Sequence, residues 1–227
     1  MNLSEKLLRF SEIVTRERYT YYGDDREQTM PNYTALEVLS PGLRAYRVKP
    51  YICDEFKSDC FKLESWLGVP VPEDFREFYK RWGIVCFDYW GVDYELVGED
   101  WILDCPNAGG GVSKYGSGRA AFPFMEIEGE CFYCLRTFDG GRNWEVVWVE
   151  LFYISPFSAE DAVVTDKGFF ELLDRLDRTN GWPPIPSNPD ASFNRWEHCV
   201  DRLEDIPTLP DFQKAKKMIE SERNGSL

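Results

Sequence analysis

Large apolar side chains between residues 72 and 83 recur at the spacing of an α-helix. They stand at positions i, i+3, i+4 and i+7, and they are Phe75, Phe78, Tyr79 and Trp82. This period places them on one helix face, which we expect to be buried. Pro72 suits the first turn because its missing N–H needs no partner there, and Gly83 suits the end of the helix. A shorter helix is predicted to end at Gly68.

Apolar residues also alternate in two segments that flank a turn. The segments are Cys131–Phe138 and Trp144–Phe152, and the five residues between them read Asp-Gly-Gly-Arg-Asn. Gly and Asn accept positive φ, so this spacing predicts a β-hairpin. Phe132 and Phe138 lie on one face of the first strand, and Tyr133 and Leu135 lie on the other. Both faces are therefore apolar, which is typical of central strands covered on each side.

Weaker patterns complete the prediction. We expect short strands at Tyr94–Val97, at Trp101–Leu103, at 121–128 and at Leu43–Val48. Further helices are expected at 4–18 (with Ser4 as N-cap), 168–178, 192–204 and 208–223, and a flexible loop is expected at Gly109–Gly118. The predicted fold is a single α+β domain of residues 1–227, with helical additions at both ends.

The acidic residues are concentrated in the middle of the chain. The whole sequence has 40 Asp and Glu against 26 Lys and Arg, a net charge of −14. Residues 51–200 hold 27 acidic and 13 basic residues, and the flanks hold 13 of each. Such a field repels nucleic acids and anionic membranes and accelerates encounter with a basic partner. Solubility is the alternative explanation. No apolar run approaches the roughly 20 residues that a membrane helix needs.

The cysteines predict free thiols in a reducing compartment. There are seven of them, an odd number, and the N-terminus lacks the order of a signal peptide, so we expect a cytoplasmic protein. Cys131 and Cys134 are three residues apart in a predicted strand, so their side chains should point to opposite faces. We interpret them as small apolar residues of a sheet, not as a metal or redox pair.

The sequence offers little for catalysis. The single histidine, His198, follows Trp196 by two residues and should lie off the apolar stripe of its predicted helix. A Ser–His–Asp set and a His-rich metal site are therefore not expected. The glycine-rich segment 109–118 precedes a predicted strand, whereas a phosphate-binding loop would precede a helix. Carboxylates are numerous, so a hydrolase with paired acids stays a distant alternative. We predict a non-enzymatic protein without cofactor or metal.

Aromatic and acidic residues interleave between positions 87 and 101. Trp and Tyr supply large contact areas at low entropic cost, so this composition is typical of a binding surface. The alternative is that Phe87, Trp90 and Trp101 are core residues. The candidate partner-binding residues are Asp88, Tyr89, Trp90, Asp93, Tyr94, Glu95, Glu99 and Asp100.

Four motifs of the chain occur in the order seen in a known superfamily. They are Trp66-Leu67-Gly68, the helix start Val71-Pro72-Glu73-Asp74-Phe75-Arg76-Glu77-Phe78, the strand Phe132-Tyr133-Cys134-Leu135 and the late helix Gly168-Phe169-Phe170-Glu171-Leu172-Leu173. Over residues 54–178 the chain resembles the SUKH superfamily, which includes yeast cell-wall regulators and bacterial toxin-immunity proteins. The resemblance implies a mostly antiparallel central sheet flanked by helices. Residues 1–53 and 179–227 would be additions to this core.

The resemblance and the charge together suggest a function. We expect a protein-binding domain, most simply an immunity protein that neutralises a basic toxin such as a nuclease. A regulatory scaffold, as in the yeast members, is the alternative.

Overall fold

The described residues of the chain form two antiparallel sheets and six α-helices. The computed structural model describes residues 1–23, 32–89, 92–104, 113–116, 118–127, 131–150, 162–181 and 199–225. The helices are α1 (Leu3–Thr15), α2 (Phe61–Leu67), α3 (Glu73–Trp82), α4 (Glu99–Asp104), α5 (Phe169–Thr179) and α6 (Pro210–Gly225). The strands are β1 (Arg18–Gly23), β2 (Tyr33–Ser40), β3 (Leu43–Val48), β4 (Tyr51–Cys53), β5 (Ile84–Tyr89), β6 (Val92–Leu96), β7 (Ser113–Gly116), β8 (Arg119–Ile127), β9 (Cys131–Thr137), β10 (Glu145–Glu150) and β11 (Val163–Asp166).

The larger sheet has the strand order β11-β10-β9-β8-β6-β5-β4, and β7 pairs with β8 at its side. Each pairing in this sheet is antiparallel. The predicted hairpin is formed by β9 and β10, which are central strands. Phe132 is 2% exposed on one face, and Tyr133 and Leu135 are fully buried on the other. The α+β class and the mostly antiparallel sheet are confirmed.

An aromatic core fills the inner face of this sheet. The stripe of α3 points into it, as the helical spacing predicted. Phe78 is fully buried; its ring centroid lies 5.3 Å from that of Phe10 in α1 and 5.1 Å from that of Phe169 in α5. Edge-to-face pairs of this kind add to the hydrophobic burial. The helices α1, α3 and α5 thus cover the inner face together.

The glycines that end α2 and α3 have the expected conformations. Gly68 has φ 71° and Gly83 has φ 74°, a region in which a Cβ is strained. Gly83 is also closely packed, because a Cβ there would lie 2.7 Å from the carbonyl oxygen of Cys53. The short 3-10 helix Asp54–Phe56 can therefore approach the end of α3.

The two ends of the chain meet in a second, smaller core. The three-stranded sheet has the order β1-β3-β2, and Tyr21 and Leu43 from it pack with Ile206 and Phe212 from the C-terminal segment. The predicted strand at Leu43–Val48 and the last helix are confirmed. The strands β1 and β2 were not predicted from the sequence.

Three sequence-based predictions are wrong where the structure describes them. The helix expected at 192–204 does not extend over its last residues, because Val200 pairs with Tyr19 through two backbone hydrogen bonds of 2.8 Å; His198 lies outside the described residues. Asn2, not Ser4, is the N-cap of α1, and it exchanges hydrogen bonds with Glu5. The strand expected at Trp101–Leu103 is part of α4, whose first turn closes when Ile102 N–H donates to the Gly98 carbonyl. In addition, β7 lies within the predicted Gly109–Gly118 loop.

A buried ionic cluster links the N-terminal segment to α5. Asp177 is 3% exposed, and its carboxylate accepts hydrogen bonds from Arg9 at 2.9 Å, Arg16 at 3.1 Å and Arg18 at 3.0 Å. These arginines come from α1, the following turn and β1.

The assignment of all 227 residues to one domain, with additions at 1–53 and 179–227, stays a prediction.

Candidate functional site

The outer face of the larger sheet, opposite the aromatic core, carries a row of neighbouring side chains. Strand register places Cys86 of β5 opposite Glu95 of β6, and Glu95 opposite Glu126 of β8. Glu126 is in turn opposite Phe132 of β9. We call these four residues the outer row. Directly opposed side chains on adjacent strands lie about 5 Å apart at Cβ, so the row places two carboxylates side by side next to an aromatic ring.

The two glutamates of the outer row carry unfavourable charge. Burial, with a contribution from Asp93, raises the pKa of Glu95 above its ordinary value. Burial and the neighbouring charge of Glu95 likewise raise the pKa of Glu126. Neither glutamate forms an ion pair with any residue that the structure describes. Like charges directly opposed on a sheet are destabilising, and a cation at this position would relieve the repulsion.

Cys86 lies in the same electrostatic environment. Burial, followed by the charges of Asp93 and Glu95, raises the pKa of the Cys86 thiol to about 12. A thiol with such a pKa is protonated at neutral pH, and the thiolate is the reactive form. Cys86 therefore lacks the properties of a catalytic nucleophile.

Trp101 of α4 lies over the apolar end of the row. Its ring is stacked on that of Phe132, with centroids 5.6 Å apart and an interplanar angle of 30°. The side chain is still 40% exposed, although Ile102, the next residue, is buried in the core. The short helix α4 is thus anchored in the core by Ile102, and its neighbour Trp101 presents a partly exposed indole ring against Phe132.

Two of the predicted partner-binding residues are buried, which corrects the sequence-based interpretation. Tyr94 is 1% exposed, and its hydroxyl donates to the Gly181 carbonyl at 2.8 Å. Asp88 is 6% exposed and lines a cavity of about 20 Å³ with Arg16, Arg18 and Asp177. These residues hold the fold together and present no surface to a partner.

The environment of Asp88 extends into the smaller sheet. The Tyr33 hydroxyl hydrogen-bonds to Asp88 and lies 2.6 Å from the Tyr22 hydroxyl. Burial, followed by the charge of Asp88, raises the pKa of Tyr33 well above its ordinary value. Asp88 therefore connects β5 with the N-terminal strands.

Glu99 and Asp100 hold α4 against α2. The Glu99 carboxylate accepts from the Ser58 hydroxyl at 2.6 Å and from the backbone N–H of Leu63 at 2.8 Å, which satisfies a donor in the first turn of α2. Asp100 pairs with Lys62 at 2.8 Å, and both side chains are exposed. Glu99 is therefore structural, and Asp100 remains accessible at the surface.

The junction of α2 and α4 opens into a groove of about 620 Å³. We call it the α2–α4 groove; it is lined by Glu55, Phe56, Lys57, Ser58, Asp59, Phe61, Lys62, Lys80, Glu99 and Asp100. Phe56 and Phe61 are 47% and 68% exposed. The groove thus combines accessible aromatic rings with charges of both signs.

The structure brings together only some of the eight predicted partner-binding residues. Glu95 lies in the outer row, with Asp93 two residues before it on β6, and Asp100 lies in the groove. The side chain of Tyr89 and all of Trp90 lie outside the described residues. Sequence reasoning missed Glu126, which is thirty-one residues beyond Glu95 along the chain. The available signal was its position as a single acid between the apolar residues Met125 and Ile127 of a predicted strand.

The described residues carry neither a metal site nor a membrane span. No group of three or more His, Cys, Asp or Glu side chains among them could hold a metal ion. None of the described helices has both the length and the apolar composition needed to cross a lipid bilayer.

The chain matches the model of one known protein family. The model of the SMI1 / KNR4 family (SUKH-1) matches residues 57–175, more than half of the sequence. The chain belongs to this family. The SMI1 / KNR4 match begins just before α2 and ends within α5, so it includes the outer row, Trp101 and most of the α2–α4 groove. The SUKH resemblance of the four motifs is confirmed. No curated protein and no solved structure matched the chain.

Proposed function

We propose that this SUKH-1 protein binds a basic protein partner through the outer row and Trp101, as an immunity protein that neutralises a toxin. The observation that carries the proposal is the directly opposed pair Glu95 and Glu126 on the sheet face of an acidic family member. Family membership supports a binding role, and the net charge of −14 supports a basic partner. The immunity role follows the toxin-immunity branch of the superfamily.

The binding mechanism follows from the charges of the row. Lys or Arg side chains of the partner would lie against Glu95 and Glu126, replacing a repulsive contact by an attractive one. The exposed indole of Trp101 would supply apolar contact or stack on a guanidinium group. Long-range attraction would accelerate encounter, and the aromatic contact would slow dissociation. A toxin that acts on a nucleic acid would then lose its basic substrate surface to the complex.

Charge reversal tests the proposal. The partner is first identified by co-purification with the tagged protein from its native cell, and a toxic activity of that partner is measured with and without the protein. Glu95→Lys with Glu126→Lys should lower the association rate at low salt by at least about tenfold, because charged steering contributes factors of that size. High salt should reduce the wild-type rate similarly, since screening acts over about 8 Å at physiological ionic strength.

A matched control has the same change in net charge elsewhere. Glu37 of β2 and Glu220 of α6 are exposed and distant in sequence from the row, and Glu37→Lys with Glu220→Lys should leave most of the association rate intact. Equal losses in both double variants would show that only net charge matters, and the outer row would not be the binding surface. A basic partner that binds without loss of its toxic activity would overturn the immunity role.

A regulatory scaffold is the second candidate, because the matching family model is the SMI1 / KNR4 branch. Such a protein would use the same acidic surface on a signalling partner. The identity of the co-purified protein separates the two roles.

A further inference from the structure

We infer that the α2–α4 groove is a second contact surface for the same partner and that it takes a short segment with an apolar anchor flanked by Lys or Arg. This inference rests on the proposed function. It adds a second apolar contact, in the groove, to the charge attraction of the outer row and the contact of Trp101.

The apolar walls of the groove are two rings that the fold leaves accessible. Phe61 is the first residue of α2, and Phe56 closes the 3-10 helix before it. Isolated exposed apolar residues are common on protein surfaces. Two large exposed phenylalanines that line one groove instead form a patch, and such patches mark contact sites. The volume of about 620 Å³ is within the range of about 300–1,000 Å³ in which binding pockets fall.

The lysines of the groove have acidic neighbours, whereas two of its acidic residues form no ion pair within the described residues. Each lysine of the lining has an acidic neighbour: Lys57 lies 3.4 Å from Asp54, Lys62 lies 2.8 Å from Asp100, and Lys80 lies 3.8 Å from Glu77. Glu55 and Asp59, beside the two rings, form no ion pair with any residue in the described part of the chain. The groove is therefore complementary to an apolar side chain flanked by positive charge.

The groove also adjoins the outer row. A Cβ on Gly98 would lie 3.2 Å from Ile84 and 3.9 Å from Phe56, and Ile84 is two residues before Cys86 on the same face of β5. On the other side, α4 lines the groove with Asp100 and reaches the row with Trp101. One partner surface can therefore cover both.

Two short fluorescent peptides of equal positive charge, one built from Lys and Leu and the other from Lys and Ser, serve as probes for fluorescence anisotropy. The wild-type protein should bind the Lys–Leu peptide at least about tenfold more tightly, the ratio expected when an apolar side chain is partly buried. Phe56→Ser with Phe61→Ser should bring this ratio close to one. Leu8→Ser with Val38→Ser is the control, because these side chains are 66% and 60% exposed elsewhere, and it should keep the ratio.

A ratio that survives the groove variant, or falls equally in the control, would overturn the inference. If the phenylalanine variant does not fold, Glu55→Lys with Asp59→Lys leaves both rings in place; it should weaken binding of the Lys–Leu peptide more than Glu37→Lys with Glu220→Lys does, and an equal effect counts against the groove.

The identified partner separates this inference from the proposed function. Loss of partner binding in the row variant but not in the groove variant would leave the proposed function standing and overturn the groove. The reverse result would retain the groove and remove the outer row.

Discussion

Asp177→Ala should be among the most destabilising single substitutions in the chain. The carboxylate is 3% exposed and is the shared acceptor for Arg9, Arg16 and Arg18, and Arg18 is itself 8% exposed. Removing one partner of a buried ion pair leaves charge without compensation in the interior and typically costs about 3–5 kcal/mol. For a chain of this size, each kcal/mol lowers Tm by about 2–4 °C, so the expected decrease in Tm is roughly 10 °C.

The same helix supplies a matched control. Asp174 lies one turn earlier, is 29% exposed and pairs with Arg9 at 3.0 Å and Arg178 at 3.1 Å. Because ion pairs that solvent reaches contribute less than fully buried ones, about 0–1 kcal/mol when exposed, Asp174→Ala should lower the free energy of unfolding by clearly less than Asp177→Ala does. Urea titration followed by circular dichroism measures both variants. Equal destabilisation by the two substitutions would refute the argument that burial of Asp177 determines the cost.

Three further outcomes are expected. Phe78→Ala should lower the free energy of unfolding by about 3–5 kcal/mol in urea titration, because the ring is fully buried among aromatic neighbours; retained stability would show that the α3 stripe is not core. Glu126→Gln should raise stability at neutral pH by about 0.2–1 kcal/mol, because it removes the repulsion by Glu95. Since the folded pKa of Glu126 is raised, wild-type stability should fall as pH rises from the ordinary glutamate pKa through the raised one, and a variant with the same pH dependence of Tm would contradict this. Cys86, with a pKa of about 12, should resist alkylation by iodoacetamide at pH 8 in mass spectrometry, and rapid labelling in the folded protein would contradict the acidic environment of the outer row.

Local patterns were sufficient for several elements. The i, i+3, i+4, i+7 stripe of α3, its glycine end and the β9–β10 hairpin depend on residues close together in sequence, and the structure confirms each. The order of such elements also carried the SUKH resemblance. The concentration of acid in residues 51–200 was equally visible in the sequence, because it requires only counting.

Long-range pairing decided the rest. Asp88 and Glu95 are seven residues apart in one acidic segment, yet Asp88 is 6% exposed and Glu95 is only partly buried. Tyr33 from the N-terminal strands hydrogen-bonds to Asp88, and this long-range contact helps to bury it. Glu95 and Glu126 became neighbours through the antiparallel pairing of β6 and β8.

The sequence by itself therefore determined some elements of the family core, among them α3 and the β9–β10 hairpin, and how much negative charge residues 51–200 carry. Only the tertiary structure decided which carboxylates face the surface, how Tyr19 and Val200 join the two ends of the chain, and where a groove remains open. The physical reason is that helical and strand periodicity arises from contacts within a few residues. Exposure and register depend on surfaces that meet across the whole chain.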